Sequence, residues 1–502
     1  MSGTTINGTA GRGILVDNTS GYTLTVSAAL QLVNAQSWTN NSSNALTVSG
    51  LVSGTGALTK SGSGTLILSN TSDSYSGQLT IQAGTLSIAT INGASSNGVL
   101  GNSASSVILG GAGGSTGTLD YTGVSGVTST KKFTLATGGT GTFAVSTGVN
   151  TLTLSNVIDG SGSLAKIGTG TLILTNIANT YSGTTTISDG ILQASKIASG
   201  GTSSLGSATT AVVLGGINTA GTLTAGTLKY AGAGATTFTR GFTVNAGGGG
   251  ITNASTTSNG TALLTIATNG IAAGGNITFA TNSNGIAVNS VISGPGSVTM
   301  NSSGAGVLTL AGANTYSGGT IVTQGTVSLS GAGTLGATGG ALTVDGGTLN
   351  LNGTSQGAGN LTGAGGTIVN DANNTHVTLT IGNGNGGGGN YAGVIADNSG
   401  AGSGTLALTK IGTGNITLSG INTYTGATTI SEGTLSAANL GAGNSSLGNA
   451  STAVVLGGIG TKGTLNYLGT DTTTFTGGFT VNAGGGAITN LCLLYTSPSP
   501  RD

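Results

Sequence analysis

Apolar and polar side chains alternate along many short stretches of this chain. Clear examples are Leu66/Leu68, Leu152/Leu154, Leu172/Leu174 and Val377/Leu379/Ile381. An apolar residue at every second position predicts a β-strand with one face buried and the other facing solvent. Residues that favour helices are scarce, with Glu432 as the single glutamate, whereas the abundant Thr, Val and Ile favour strands. The pattern therefore predicts an all-β protein.

One pattern occurs four times and organises the rest of the chain. The copies are Gly64–Leu86, Gly170–Leu192, Gly306–Val327 and Gly414–Leu435. We call them the tyrosine segments, because each has a tyrosine at the equivalent position: Tyr75, Tyr181, Tyr316 and Tyr424. A glycine follows that tyrosine at plus two and another at plus nine, with aliphatic residues at plus six and plus eleven.

The spacing upstream of the tyrosine varies by one residue between copies. Six residues separate Leu68 from Tyr75, but five separate Leu310 from Tyr316. A strand cannot absorb an extra residue without moving its side chains to the wrong face, whereas a turn can. The variable part is therefore predicted to be a turn, and the constant part to contain strands.

The G-x-L signature occurs twice within a tyrosine segment, for example at Gly64 and again at Gly84. A return to an equivalent position after about 20 residues is typical of one coil of a β-solenoid. Glycine and asparagine would then occupy the corners, where positive φ is often needed. A sandwich or up-and-down arrangement is the competing interpretation, but it needs a hairpin turn roughly every 8–12 residues.

Longer blocks also recur, and they define the predicted domain boundaries. The block S-L-G-S-A-T-T-A-V-V-L-G-G at 204–216 returns at 446–458, and looser forms lie at 99–111 and 334–347. We predict one repetitive segment over residues 1–490. After Asn490 the sequence becomes L-C-L-L-Y-T-S-P-S-P-R-D, which resembles translated adapter read-through. We expect 491–502 to be a non-homologous tail from sequencing or assembly, and the chain to be a fragment.

Charge and composition argue against several classes of function. Charged residues are 4% of the chain, against roughly 25% in ordinary soluble proteins, and the 11 basic and 11 acidic residues cancel. No basic stripe is available to neutralise phosphates, so nucleic-acid binding is not expected. No apolar run approaches the roughly 18–20 residues of a membrane span. The first ten residues also lack the basic and apolar regions of a signal peptide. The single cysteine, Cys492, excludes an internal disulfide framework and a multi-cysteine metal site.

The acidic residues are spread along the chain. They are Asp17, Asp73, Asp120, Asp159, Asp189, Asp345, Asp371, Asp397, Glu432, Asp471 and Asp502. Asp189 and Glu432 share a repeat position at which other copies have Ala83 and Gln324, and Asp120 corresponds to Lys229, Asn350 and Asn466. Positions that accept neutral residues are predicted to be exposed turns. A glycan-cleaving β-helix usually concentrates its carboxylates in one groove, so we predict no catalytic, cofactor-binding or metal-binding residues and no cofactor.

The lysines and the histidine are likewise predicted to have no role in catalysis or binding. Lys60, Lys166 and Lys410 precede the tyrosine segments at equivalent positions, where the third copy has Met300. A position that accepts either residue is predicted to lie at a solvated edge. His376 is the single histidine. It alternates with apolar neighbours, so its side chain is predicted to point outward, and it cannot by itself define a triad.

The repeated tyrosines are predicted to pack at a turn rather than to stack against glycans. The glycine-rich stretch Asn245–Ile251 has no aspartate of the kind that calcium-binding repeats need. The chain also has no Gly-Lys-Ser/Thr of a phosphate-binding loop.

The tyrosine segments resemble the autotransporter-associated β-strand repeat of bacterial passenger domains. The resemblance rests on stretches such as G-T-L-I-L-T-N-I-A-N-T-Y-S-G-T-T-T-I-S-D-G-I-L and G-V-L-T-L-A-G-A-N-T-Y-S-G-G-T-I-V-T-Q-G-T-V. It implies a right-handed parallel β-helix, exported by Gram-negative bacteria and placed at the cell surface or released from it. Such passengers also have a signal peptide and a C-terminal outer-membrane β-barrel, which we expect to be missing from this fragment.

Three functions are compatible with these observations. The leading hypothesis is a non-enzymatic rod, acting as a stalk or an adhesin that binds host or matrix protein or carbohydrate through many weak contacts. The alternative is a polysaccharide-degrading β-helix enzyme or a tail-spike-like depolymerase, which would require several aspartates in one groove. A third idea is that rows of outward threonines order water, as in ice-binding solenoids.

Overall fold

The computed structural model describes residues 13–16, 23–197, 202–218, 220–257, 260–385, 388–400, 402–441, 445–449, 453–470 and 473–490. The chain divides into two compact units, Met1–Thr257 and Ser258–Asp502, which are described separately below. The proposed tail at 491–502, with Cys492, lies outside the described residues.

The first unit consists of short β-strands, few of which exceed five residues. They are Leu15–Val16, Leu24–Val26, Leu30–Leu32, Gln36–Asn40, Leu46–Val48, Val52–Gly54, Leu58–Ser61, Thr65–Leu68, Leu79–Ile81, Gly84–Ile88, Val107–Leu109, Thr116–Tyr121, Val127–Ser129, Phe133–Leu135, Thr140–Val145, Thr151–Leu154, Ile158–Gly160, Ser163–Ile167, Thr171–Leu174, Thr185–Ile187, Gly190–Ala194, Val212–Leu214, Gly216–Ile217, Leu223–Thr224, Gly226–Tyr230, Thr236–Phe238, Phe242–Val244 and Gly249–Asn253.

The second unit is built in the same way. Its strands are Leu264–Ile266, Ile271–Ala273, Ile277–Thr281, Ile286–Val288, Ile292–Ser293, Val298–Asn301, Val307–Leu310, Thr320–Gln324, Thr326–Leu329, Leu342–Val344, Thr348–Asn350, Gln356–Ala358, Leu361–Thr362, Thr367–Val369, His376–Ile381, Gly389–Tyr391, Val394–Ile395, Thr405–Lys410, Asn415–Leu418, Thr428–Ile430, Gly433–Ala437, Val454–Leu456, Gly463–Tyr467, Phe479–Val481 and Gly486–Asn490. A one-turn 3-10 helix covers Asn383–Asn385.

Strands from successive coils pair in parallel, so equivalent side chains stack in columns. In the first unit one inward column contains Leu66, Leu86, Leu119 and Phe143, all at most 1% exposed. In the second unit a corresponding column contains Leu308, Val327, Leu349 and Ile368, all fully buried. Each unit therefore has a continuous apolar core along its stack of coils, and the prediction of an all-β parallel solenoid is confirmed.

The predicted circuit length is confirmed by the strand register. Leu66 pairs with Leu86 and Leu172 with Leu192, so the first two copies share one circuit length. Leu308 pairs with Val327 and Ile416 with Leu435, a circuit that is shorter by one position in both cases. Each tyrosine segment therefore closes one coil, and the variable turn before the tyrosine absorbs the difference in length.

The glycine at plus nine marks a corner of that coil. Gly84, Gly190, Gly325 and Gly433 all have φ between 64° and 81°, a region in which residues with a Cβ are strained. At Gly190 a Cβ would also lie 2.5 Å from the carbonyl oxygens of both Gly168 and Gly170 in the preceding coil. Glycine is required here by backbone conformation and by the close approach of the neighbouring coil.

One pair of strands in the described part of the first unit departs from the parallel arrangement. In the first unit Gly216–Ile217 pairs antiparallel with Leu223–Thr224, forming a small hairpin that the sequence pattern does not predict. Over the described parts of the chain, no helix has the length and apolar character needed to cross a membrane.

Candidate functional site

The repeated tyrosines lie inside the coils. Tyr75, Tyr181, Tyr316 and Tyr424 are all fully buried. In three of the copies the hydroxyl group is hydrogen-bonded to a threonine four residues later, at 2.9 Å for Tyr181–Thr185, 2.6 Å for Tyr316–Thr320 and 2.7 Å for Tyr424–Thr428. The predicted packing role is confirmed, and these rings are not available to stack against a ligand.

The recurring S-L-G block packs against the tyrosine, which explains why the two motifs occur together. Gly206 has a φ of +66°, and a Cβ there would lie 2.9 Å from the Tyr181 ring and 2.3 Å from the Tyr181 carbonyl oxygen. Next to it, the Ser207 amide donates to that carbonyl at 2.9 Å. The other three copies place Gly101, Gly336 and Gly448 against their tyrosines in the same way.

We expect Gly206→Ala to destabilise the first unit by roughly 2 kcal/mol or more. The substitution adds the left-handed backbone penalty of roughly 1–2 kcal/mol to a clash with an immobile ring. Urea denaturation followed by the fluorescence of Trp38, the single tryptophan, which is buried in this unit, measures the effect. Gly138→Ala is the matched control, because Gly138 has a φ of +72° and an added Cβ would have nothing within 4 Å. Equal losses in both variants would contradict the packing argument.

The lysines that precede the tyrosine segments are buried, so the prediction of a solvated edge is wrong. Lys60, Lys166 and Lys410 are fully buried. The Lys166 ammonium donates to the carbonyl oxygens of Ile167, Gly168 and Asp189 at 2.9, 2.6 and 3.2 Å. Lys60 and Lys410 make the equivalent three bonds. Burial lowers the pKa of each ammonium to about 8, because removal from water disfavours the charged form.

The third copy shows how the same corner is closed without a lysine. Met300 is also fully buried, but the strand register shifts between Met300 and Asn301. That shift lets the Ser302 amide donate to the Gln324 carbonyl at 3.3 Å. Gln324 is the equivalent of Asp189, whose carbonyl accepts the lysine ammonium in the second copy. Lysine and methionine are therefore two solutions to one buried corner.

Two more buried cations play a similar part at the S-L-G block, and the sequence analysis missed both. Lys131 donates to the carbonyls of Gly101 and Ser103, both at 2.9 Å. Arg240 donates from Nη1 to the Leu205 carbonyl, also at 2.9 Å. Burial lowers the pKa of Lys131 to about 8 and lowers the pKa of Arg240. Their position in the sequence is the signal that could have identified them, because each cation lies two residues before a recurring phenylalanine.

Asp73 occupies a position that is asparagine in the other three copies. The side-chain oxygens of Asn179, Asn314 and Asn422 accept a backbone amide from the preceding coil at 2.7–2.8 Å. Their amide nitrogens donate to the carbonyls of Ser204, Thr334 and Ser446. Asp73 keeps the first bond, from Val52 at 2.7 Å, but its second carboxylate oxygen is buried without a partner. Desolvation raises the pKa of Asp73 to about 6.

Four further acidic residues are each bonded to a neighbouring polar or basic side chain. Asp120 accepts hydrogen bonds from Ser87 and Ser146, and Asp159 pairs with Lys132 at 2.7 Å. Asp371 accepts from Asn350, and Asp397 from Thr425. Within the described ranges no group of three His, Cys, Asp or Glu residues could hold a metal ion. Asp17, Asp471 and Asp502 lie outside those ranges.

The single histidine lies where the sequence predicts, whereas three of the acidic residues do not. His376 is exposed, as predicted, and its Nδ1 contacts the Thr405 hydroxyl. Asp189 and Glu432 lie at coil corners but are half-buried rather than exposed. Asp120 lies on the strand Thr116–Tyr121, so its assignment to a turn is wrong.

These features define a parallel β-solenoid whose repeated polar residues serve its interior. The passenger-associated-transport-repeat family matches residues 58–88, 164–194, 303–329 and 408–437, and each range contains one tyrosine segment. The chain is 39% identical over 214 residues to the "Adhesin BmaC autotransporter" of Brucella suis biovar 1 (strain 1330). That similarity covers 41% of this chain and 6% of the relative. No solved structure matches. The repeats, the similarity and the solenoid fit an autotransporter passenger with β-helix repeats, as the sequence resemblance implied.

Proposed function

We propose that this chain is a non-enzymatic segment of a bacterial surface passenger that acts as a stalk with adhesin-like outer faces. The observation that carries the proposal is how the repeat distributes its side chains between the interior of the coils and the outer face. The four repeated tyrosines, four lysines and Arg240 are used inside the coils, while short hydroxyl side chains pair across the outer face. Examples are Thr343 with Thr362 at 2.8 Å and Thr137 with Ser161 at 2.7 Å.

The outer connections supply further contact groups. Val124 and Val149 are 74% and 84% exposed, and they lie among polar residues. Hydroxyl rows with scattered aliphatic side chains suit weak contacts that gain strength from repetition along a stack of coils. The similarity to a protein named an adhesin autotransporter supports a location outside the cell, at the bacterial surface, and host or matrix protein or carbohydrate as partners.

The proposal predicts adhesion without catalysis. Beads coated with the purified chain are expected to bind epithelial cells or a glycan-rich matrix at least several-fold better than beads coated with an inert protein of equal mass. Soluble chain should compete. The same preparation should leave the viscosity of polysaccharide solutions unchanged over hours. Failure to bind any cell or matrix tested would remove the adhesive part of the proposal, and a fall in viscosity would favour the depolymerase alternative.

A further inference from the structure

The hairpin in the first unit borders a half-open cavity of about 240 Å³ on the side of the coils. Three successive coils form the floor. The hairpin contributes Ile217, Asn218 and Thr224, and the coils contribute Ala144, Ser146, Ile167, Gly168, Ser188 and Asp189. We call this space the hairpin cavity.

The hairpin is a local addition to an otherwise shared block. The connection from Leu214 to Gly226 is longer than its counterparts, Leu109–Gly117 and Leu456–Gly463. Its described residues are held by several hydrogen bonds. The Asn218 side-chain oxygen accepts the amides of Ala220 and Thr222 at 3.0 and 2.9 Å. The Thr224 hydroxyl donates to the Ser188 carbonyl at 2.6 Å. A longer, ordered connection on a repeat scaffold is where a binding site is commonly added.

The charges around the hairpin cavity decide which kind of ligand it suits. Asp189 supplies the single carboxylate in the lining, and one of its oxygens accepts the Gly190 amide at 2.8 Å. The Lys166 ammonium lies behind it, bonded to the Asp189 backbone carbonyl at 3.2 Å. The two charges offset each other, so the cavity favours a neutral ligand with hydroxyl groups over a cation.

The other lining groups match that chemistry. Ser146, Ser188 and Asn218 bring polar side chains to the cavity, while Ile217 is 65% exposed and offers an aliphatic surface. A carboxylate can accept hydrogen bonds from two adjacent hydroxyl groups, and such charge-assisted bonds are the stronger ones. An aliphatic side chain can cover the C–H face of a sugar ring. The volume lies below that of drug-sized sites, which run from roughly 300 Å³ upward, and so suits a ligand no larger than one ring.

We propose that the hairpin cavity binds a single sugar ring of a neutral glycan, with Asp189 accepting the hydroxyl groups and Ile217 covering the ring face. This inference rests on the proposed adhesive function and supplies it with a specific site. The Asp189 position is neutral in two other copies, as Ala83 and Gln324. Removing its charge is therefore compatible with the fold.

Saturation-transfer difference NMR on the full chain tests the site directly. The probes are the methyl glycosides of glucose, galactose, mannose and N-acetylglucosamine, with Nα-acetyl-lysine methylamide as the cationic comparison. We expect transfer to at least one glycoside and at least a tenfold weaker affinity in Asp189→Asn and in Ile217→Ser. Glu432→Gln is the matched control, because Glu432 has the same repeat position in a copy with a shorter connection, and it should bind as the wild type does.

Three results would overturn the inference: no transfer to any glycoside, transfer to the lysine derivative alone, or undiminished transfer in Asp189→Asn. The bead assay separates this failure from failure of the proposed function. Wild-type adhesion that Asp189→Asn retains in full overturns the cavity as the site and leaves the adhesive role standing. Glycoside binding in a chain that never adheres removes the adhesive role alone.

Discussion

Replacing Lys166 by methionine is expected to destabilise the first unit by about 3 kcal/mol, although a natural copy of the repeat carries methionine there. The substitution leaves the carbonyls of Ile167, Gly168 and Asp189 without their donor. Each unpaired buried carbonyl costs roughly 1–3 kcal/mol. The variant no longer has to bury an ammonium, and the desolvation cost that it avoids offsets part of that sum. Urea denaturation followed by Trp38 fluorescence gives the change in unfolding free energy. Hydrogen exchange of peptides covering 163–194 shows where protection is lost.

The reciprocal substitution is the matched control. Met300→Lys in the second unit should also be destabilising, because the Gln324 carbonyl already accepts the Ser302 amide and the new ammonium would be buried without enough acceptors. If Lys166→Met were neutral, the methionine corner would not depend on the register shift at Met300, and the account of two separate solutions would fail.

The buried lysines also predict how stability changes with pH. Their folded pKa of about 8 lies below the ordinary value of 10.5, so the unfolded chain binds more protons between these values. Stability should therefore rise as pH increases from about 8 towards 10. Above about 10 the unfolded tyrosines ionise, whereas burial raises the pKa of Tyr181 to about 12, and this opposes the rise. Lys166→Met should show a shallower increase between pH 8 and 10 than the wild type.

Asp73→Asn is expected to stabilise the first unit by about 2–3 kcal/mol at pH 7 and to have little effect at pH 4. The folded pKa of Asp73 is raised from 3.8 to about 6, so the folded chain holds its proton more tightly. The stability that this carboxyl contributes is complete below about pH 4 and is lost as pH rises through about 6. An asparagine keeps the hydrogen bond from the Val52 amide and carries no charge. It also places an amide donor where Asp73 has its unpaired carboxylate oxygen, as Asn179 does in the second copy.

Neighbouring residues explain why the first copy differs. Leu79 stands where the other copies have threonine, so the Tyr75 hydroxyl donates instead to the Val99 carbonyl at 3.1 Å. Val99 is the counterpart of Ser204, whose carbonyl accepts the Asn179 amide. Tyr75 is the ionisable group that faces Asp73, and both its burial and the Asp73 charge raise its pKa. Hence Tyr75 stays neutral throughout the acidic range, and within this pair only Asp73 titrates there.

Unfolding free energies of the wild type and Asp73→Asn, measured in urea from pH 4 to pH 7.5, give the difference curve for this one group. Asn179→Asp supplies the mirror experiment, since it should introduce into the second copy the same loss of stability above about pH 6. Parallel curves for the wild type and Asp73→Asn would show that Asp73 has an ordinary pKa in the folded chain.

Much of the fold follows from the sequence because equivalent positions in the four copies of the repeat can be compared with one another. The length of the circuit and the turn before the tyrosine are read from spacing alone. The burial of the lysines was also encoded. Lys166 lies two residues after Leu164 on the strand Ser163–Ile167, and the alternation used elsewhere would have placed it inward. The exchange of lysine for methionine between copies instead indicated a solvated edge. A lysine is seldom buried without partners, and the carbonyl partners here lie in turns whose geometry no periodicity reveals.

The hairpin cavity could not be predicted in this way. Its antiparallel strands are two residues long, too short for a period of two to be recognised. Its lining comes from three coils, brought together only by the strand register. Repetition in the sequence reports what the copies share, whereas the cavity lies where one copy differs from the rest.

The parallel register has a consequence for how such a chain can change its length over generations. Recombination between two of the near-identical stretches, such as 204–216 and 446–458, would add or delete whole coils. Each new junction would then join strands that already have equivalent partners, as Leu86 has in Leu66 and Leu119. No side chain would change faces. A gene of this kind can therefore lengthen or shorten its product by slippage without disrupting the core. The same change in a protein with a single closed core would disrupt its packing.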